Sequence, residues 1–247
     1  MATKKALKTL FKVTIKEAFL QLPIQITNTF ARESSPMSMQ TQKASQPIPQ
    51  KPDEQILVIK RTALFQAQAP QGFLPQNLDS YLTVITDKKE FFSRAAMEKN
   101  PRYKQIIPYL IFSHTDAHGQ QRLFLMQRTA VASETRLRNK YSLGIGGHIR
   151  QEDLSENSIF AWANREFHEE VHYTGTLTVE PLGIVNDDSD EVGTVHLGLV
   201  LLLQGNSADI SVKSELKQGH LFTLDECKSY APDMENWSQL VLTHLAK

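Results

Sequence analysis

From residue 54 onward the chain alternates short apolar runs with helical stretches, but without a regular strand-helix-strand rhythm. That arrangement restricts the fold to a mixed sheet with helices packed on its faces. "QILVIKR" (55–61) reads as a strand. "PYLIFSHT" (108–115) and "RLFLMQRT" (122–129) flank "DAHGQQ" and read as a hairpin. "LTVEPLGIV" (177–185), "GTVHLGLVLLL" (193–203) and "GHLFTL" (219–224) read as further strands. Helical periodicity marks 154–172, and again "MENWSQLVLTHL" (234–245), with Trp237, Leu240, Val241 and Leu245 inward. "KKEFFSRAAMEKN" (88–100) reads as a helix or an irregular segment, and "YSLGIGGHI" (141–149) as a glycine-punctuated loop after a short strand.

The first fifth of the chain reads differently. In residues 1–33, Lys4, Lys5, Lys8, Lys12, Lys16 and Arg32 face only Glu17 and Glu33. A stretch rich in Ser, Gln and Pro follows over 34–53, without large aromatics. Residues 1–53 are therefore expected to be a basic leader and a flexible linker, dispensable for chemistry. Residues 54–104 would form an N-terminal elaboration and 105–247 the main domain. Lys+Arg and Asp+Glu both number 27, so no global field recruits nucleic acid. The longest apolar run, "LGLVLLL" (197–203), is far shorter than the ~20 residues of a membrane helix. No nucleic-acid or membrane partner is expected. The one cysteine, Cys227, cannot make an internal disulfide, which suits a reducing compartment such as the cytoplasm. A mitochondrial address in the lysine-rich leader is the competing reading.

The chemistry concentrates in "REFHEE" (165–170). On a helix, Glu166, Glu169 and Glu170 stand at i, i+3 and i+4 and lean toward one side. Asp153 and Glu156 give the helix a capping-box-like start. At 100° per residue, Ile159, Phe160, Ala163, Phe167 and Val171 share an apolar face. Glu170 falls near its middle, Glu166 at its margin and Glu169 further round. Arg165 is four residues before Glu169 and pairs with it. A carboxylate aimed at a core is costly unless it is paired or bound to metal, and a hard cation such as Mg²⁺ takes carboxylate oxygens. The competing reading is a solvated helix face with one ion pair.

This segment resembles the Nudix box, which reads Gly, five residues, Glu, seven residues, then Arg-Glu-apolar-any-Glu-Glu-any-Gly-apolar. Arg165, Glu166, Phe167, Glu169, Glu170 and Tyr173 fall on its second half, and "GIGGHI" (144–149), with Gly146, Gly147 and His148, is similar to its glycine loop. The departures are specific. His172 stands at the box glycine, so the helix is expected to run on toward Gly175. Gly147 lies 18 residues before Arg165, four more than the box allows. Counting back from Arg165 puts Asn157 at the first box glutamate, with Glu152, Asp153 or Glu156 as substitutes after an insertion.

The resemblance implies an α/β/α Nudix sandwich and a Mg²⁺-dependent (or Mn²⁺-dependent) hydrolase. Its substrate would be a small nucleotide-like molecule, a nucleoside diphosphate linked to another moiety, cleaved at the pyrophosphate. Glu166, Glu169 and Glu170 would hold metal, with Glu169 and Arg165 acting in catalysis. "NDDSDEVG" (186–193) offers Asp187, Asp188, Asp190 and Glu191 as a base or extra ligand, against the plain reading of an Asx-rich turn. Arg128, Arg136, Arg138 and Lys140 offer donors to phosphate, against the plain reading of a solvated loop. His196 is assigned no role. A homodimer is compatible with this reading. The alternative is a catalytically inactive Nudix fold that binds a nucleotide and regulates.

Overall fold

The computed structural model describes residues 53–75, 78–129, 137–156, 159–213 and 216–247. The leader and linker up to residue 52, Arg136 and Asn157 lie outside the described residues.

β1 (Gln55–Lys60), a helical turn α1 (Arg61–Leu64), β2 (Gly72–Leu74), α2 (Leu78–Lys88), β3 (Glu90–Ser93) and a second turn α3 (Arg94–Met97) come first. β4 (Tyr103–Thr115) and β5 (Gln121–Arg128) form the expected hairpin, followed by the short β6 (Tyr141–Ser142) and β7 (Gly144–Gly146). A 3₁₀ segment (Gln151–Glu156) leads to α4 (Ile159–Glu170), β8 (Val171–Tyr173), β9 (Leu177–Asn186), α5 (Glu191–Val195) and β10 (His196–Gly205). β11 (Ile210–Val212), β12 (Leu216–Thr223), α6 (Leu224–Ser229) and α7 (Asn236–Leu245) complete the order.

The main sheet runs β12-β5-β4-β10-β9-β2, with β10 parallel to β4 and antiparallel to β9. It is mixed, as the irregular rhythm predicts. β4 is buried from Lys104 through Ser113, as a central strand covered on both faces must be. Alternate side chains sort into two cores. Leu110, Phe112, Phe124, Leu199 and Leu201 pack with Trp162, Ala163 and Phe167 of α4. Tyr109, Ile111, Leu123, Leu125, Val200 and Leu202 pack with Cys227 of α6 and Val241 and Leu242 of α7. Helices therefore cover both faces, and the architecture is the α/β/α sandwich. Cys227 is fully buried, and burial, then the charge of Glu226, pushes its thiol up to about 12. It is a packing residue.

Three expectations need revision. The division at 104/105 falls inside β4, and the preceding segment is woven into the main sheet. β1 pairs with β4 (Val58↔Gln105, Lys60↔Tyr103) and β2 with β9. Residues 88–100 form β3 and the turn α3 rather than one helix. The α2 helix carries "TVIT" (83–86), poor helix formers by propensity, and burial of Ile85 with Leu78, Tyr81 and Leu82 overrides that. Finally, α4 does not continue toward Gly175. It stops at Glu170, whose carbonyl accepts from Lys213 N at 2.8 Å, while Lys213 Nζ donates to the carbonyl of His168. Val171–Tyr173 then pairs with β11. A lysine from a distant segment satisfies the helix end, so no glycine is required at His172.

Candidate active site

The rotation of α4 about its axis decides which glutamate meets the core. Trp162 is 1% exposed and its Nε1 donates to the carbonyl of His148 at 3.1 Å. Phe167 stacks on Phe112 with ring centroids 5.8 Å apart and planes at 14°. These anchors turn Glu166 toward the glycine loop. Its carboxylate lies so close to Gly147 that a Cβ there would overlap it, so only glycine allows the approach. The side chain of Glu166 is 14% exposed. Burial, and then the charge of Glu169, push its carboxyl up to about 7. Arg165 opposes the rise, and Glu170 adds to it.

Trp162 widens the apolar face on the side of Glu166, so Glu166 and Glu170 both lie within it. Glu170 is half-buried, and Glu169, 52% exposed, is turned outward onto Arg165. Among the described residues no three His, Cys, Asp or Glu side chains converge as a ready-made metal site. Three like charges at this spacing repel in the absence of a cation, and Arg165 draws one of them aside. The donor chemistry nevertheless fits a hard cation. A buried carboxylate resists its own charge, and two further carboxylates lie three and four residues on, about one helical turn away.

Arg165 is the hub of the charges. Besides Glu169 it reaches Glu166 at 3.7 Å and Asp153 at 2.9 Å. The Asp153 side chain is 8% exposed, and its other oxygen accepts from Arg150 N at 2.8 Å. Five residues separate Gly147 from Asp153, the spacing that the Nudix box gives its first acid. Counting forward from the glycine rather than back from the arginine selects Asp153 and puts the insertion between it and α4. Of the described side chains among Glu152, Asp153, Glu156 and Asn157, the contact with Arg165 favours Asp153; the Glu156 side chain and Asn157 lie outside the described residues.

The acidic loop is largely occupied elsewhere. Asp188 accepts from Lys104 Nζ at 2.6 Å, from Gln71 Nε2 at 3.0 Å and from Arg61. Burial opposes its charge, but the hydrogen bonds from Arg61, Lys104 and Gln71 outweigh it and hold the carboxyl well below the usual range. Lys104 is fully buried and also donates to the carbonyls of Gly193 (2.8 Å) and His196 (3.0 Å). Asp190 caps α5 by accepting from Gly193 N at 2.6 Å. Asp188 and Asp190 thus serve as a tertiary clamp and a helix cap, contacts that weigh against either as a base or extra ligand. Asp187 accepts from Ser189 and Asn236, and Glu191 is exposed in the first turn of α5.

Of the basic candidates, Arg128 ends β5, its N donating to the carbonyl of Lys140 at 3.0 Å, and its Nε is buried without a hydrogen-bond partner among the described residues. Arg138 and Lys140 flank Asn139, whose φ of 59° turns the chain into β6. On the other side of Gly147, His148 Nε2 lies 2.7 Å from Gln105 Oε1 and 3.3 Å from His196 Nε2. Burial, then the charges of Arg94, His196 and Arg150, push the His148 imidazole down to about 3, so it is neutral. Gln105 and Lys104 were not singled out in the sequence. Two polar residues side by side in an otherwise apolar strand, "YKQIIPYL", were the available signal.

A sandwich with an acid-bearing helix laid against a glycine loop defines a phosphate-chemistry scaffold of the Nudix type, and known proteins agree. No protein-family model matches the chain. It is 32% identical over 218 residues to protein YmaB of Bacillus subtilis strain 168, a match spanning 78% of this chain and 97% of that one. Among solved structures it is similar to Tm1382, a proposed Nudix hydrolase. Identity there is 30% and the TM-score 0.65, covering 78% of this chain and 98% of the other. The chain belongs to the Nudix family.

Proposed function

We propose that the protein is a Mg²⁺-dependent hydrolase that cleaves the pyrophosphate bond of a nucleoside diphosphate linked to another moiety, with Mn²⁺ able to substitute. The observation that carries this reading is Glu166, a carboxylate buried against Gly147 and pressed by two neighbouring glutamates. Such a group is unfavourable in the bare fold and favourable once a cation arrives.

Glu166, Glu169 and Glu170 would hold the metal. Bound Mg²⁺ supplies charge neutralisation of the pyrophosphate and activation of water. Arg165 holds Glu169 in place, and Asp153 holds Arg165. Arg128, Arg138 and Lys140, with Arg136, would receive phosphate oxygens. Asp187 and Glu191 remain the candidates in the acidic loop for accepting a proton from water. The inactive-module reading leaned on the missing glycine at His172 and on the insertion. Lys213 at the helix end and Asp153 beside Arg165 support the enzyme reading at both departures, while Asn157, the third ground of the inactive reading, lies outside the described residues. A panel of nucleoside diphosphate derivatives with Mg²⁺ or Mn²⁺ tests the reading: mono- and diphosphate products are expected, and tight binding without turnover across the panel would restore the regulatory module.

A further inference from the structure

Beside the carboxylates lies a polar cluster that the fold alone does not account for. Gln105 is fully buried, His196 is 8% exposed and His148 is half-buried, on strands and a loop otherwise lined by leucine and isoleucine. The hydrogen bonds fix the proton positions. His196 Nδ1 lies 2.7 Å from the carbonyl of Val192, so Nδ1 carries the proton and Nε2 a lone pair. The His148 Nε2 proton then points at Gln105 Oε1 and His196 Nε2, leaving a lone pair on His148 Nδ1. Among the described residues nothing donates to that nitrogen. Gln105 Nε2 is buried and has no hydrogen-bond partner among the described residues.

A cluster serving packing alone satisfies its donors, because a buried orphan N–H is penalised. This one keeps a buried donor unused and a neutral acceptor half open, next to Gly146 and Gly147, the loop that receives Glu166. We propose that His148, held by Gln105 and His196, binds the uncharged part of the substrate, accepting a hydrogen bond from a hydroxyl or amino group of the nucleoside or its attached moiety. A neutral imidazole has no charge to offer phosphate, so discrimination rests on the groups flanking the pyrophosphate. This inference stands on the hydrolase reading for the identity of the ligand.

The test uses the full chain and calorimetry in Ca²⁺ with four probes: inorganic pyrophosphate, ADP-ribose, UDP-glucose and CDP-choline. Wild type is expected to bind at least one nucleotide probe more tightly than pyrophosphate. His148→Ala should weaken that probe about tenfold, as the loss of one hydrogen bond of about 1.4 kcal/mol implies, and leave pyrophosphate unchanged. His148→Asn, which keeps an acceptor near the position of Nδ1, should recover part of the loss, and melting curves check that both variants fold. Equal weakening of all probes, no weakening, or a wild type that binds no nucleotide probe more tightly than pyrophosphate would overturn the inference. Selective binding without hydrolysis in Mg²⁺ would instead sink the hydrolase reading and leave His148 in its role.

Discussion

Glu166 and Asp188 are both partly buried carboxylates, and the fold treats them in opposite ways. Asp188 meets Lys104, Arg61 and Gln71 and is held ionised far below the usual range. Glu166 meets two more glutamates and one shared arginine, and is pushed up to about 7. A charge the scaffold uses is surrounded by donors. A carboxylate left short of donors is the group proposed above to await a cation, and perturbed groups of that kind are candidates for functional sites. The contrast is open to mutation, because each carboxylate predicts a different loss.

The largest loss of stability is expected at Asp188. Asp188→Ala leaves the fully buried Lys104 ammonium without its counter-ion and should cost roughly 3 kcal/mol, read by denaturant melts. Sequence alone makes this residue a surface turn worth about 0.5 kcal/mol or less, so the measurement separates the two readings sharply. Acid should reveal the same clamp. The folded carboxyl titrates below its unfolded value of about 3.9. The stability it contributes is therefore complete above that value and lost as pH falls from about 4 toward the folded value. The Asp188→Asn variant should lack that component of the acid transition, and a wild-type melt that is flat from pH 5 to 2 would contradict the clamp.

Asp153→Ala should cost less stability and more activity. It frees Arg165 from one of its anchors, and removing such a supporting group typically lowers metal affinity or turnover 10–100-fold. A Mg²⁺ titration of turnover measures it, and an unchanged titration would return Asp153 to a helix-capping role. The smallest effect is expected from truncation to Asp53. Residues 53–247 carry both cores and every contact described for the site, so melting and turnover should match those of the full chain.

What was legible in the sequence follows the reach of the interactions. The Arg165–Glu169 pair is an i,i+4 contact, and the inward positions of Ala163 and Phe167 follow from helical periodicity. The sheet strands were visible because apolar runs bounded by turn residues are local signals. That Glu166 meets the glycine loop was not local, because it depends on the approach of Gly147 and on the hydrogen bond of the Trp162 indole to His148 across the site. Asp153 was ambiguous because the insertion confounds counting, and its contact with Arg165 is a tertiary signal that counting does not supply. The clamp on Asp188 joins Arg61, 127 residues away in sequence, and Lys104, 84 away, and no periodicity reports a contact at that separation.

The central claim is that Glu166 is strained in the bare fold because a cation belongs beside it. The direct measurement is thermal melting of wild type and Glu166→Gln with and without Mg²⁺, alongside turnover on a responsive nucleotide. Mg²⁺ should raise the wild-type melting temperature by mass action. Glu166→Gln should melt at the same temperature or higher without metal, respond little to Mg²⁺, and lose turnover by ~10²-fold or more. A wild type indifferent to Mg²⁺, together with a Glu166→Gln variant that stays active, would contradict the account.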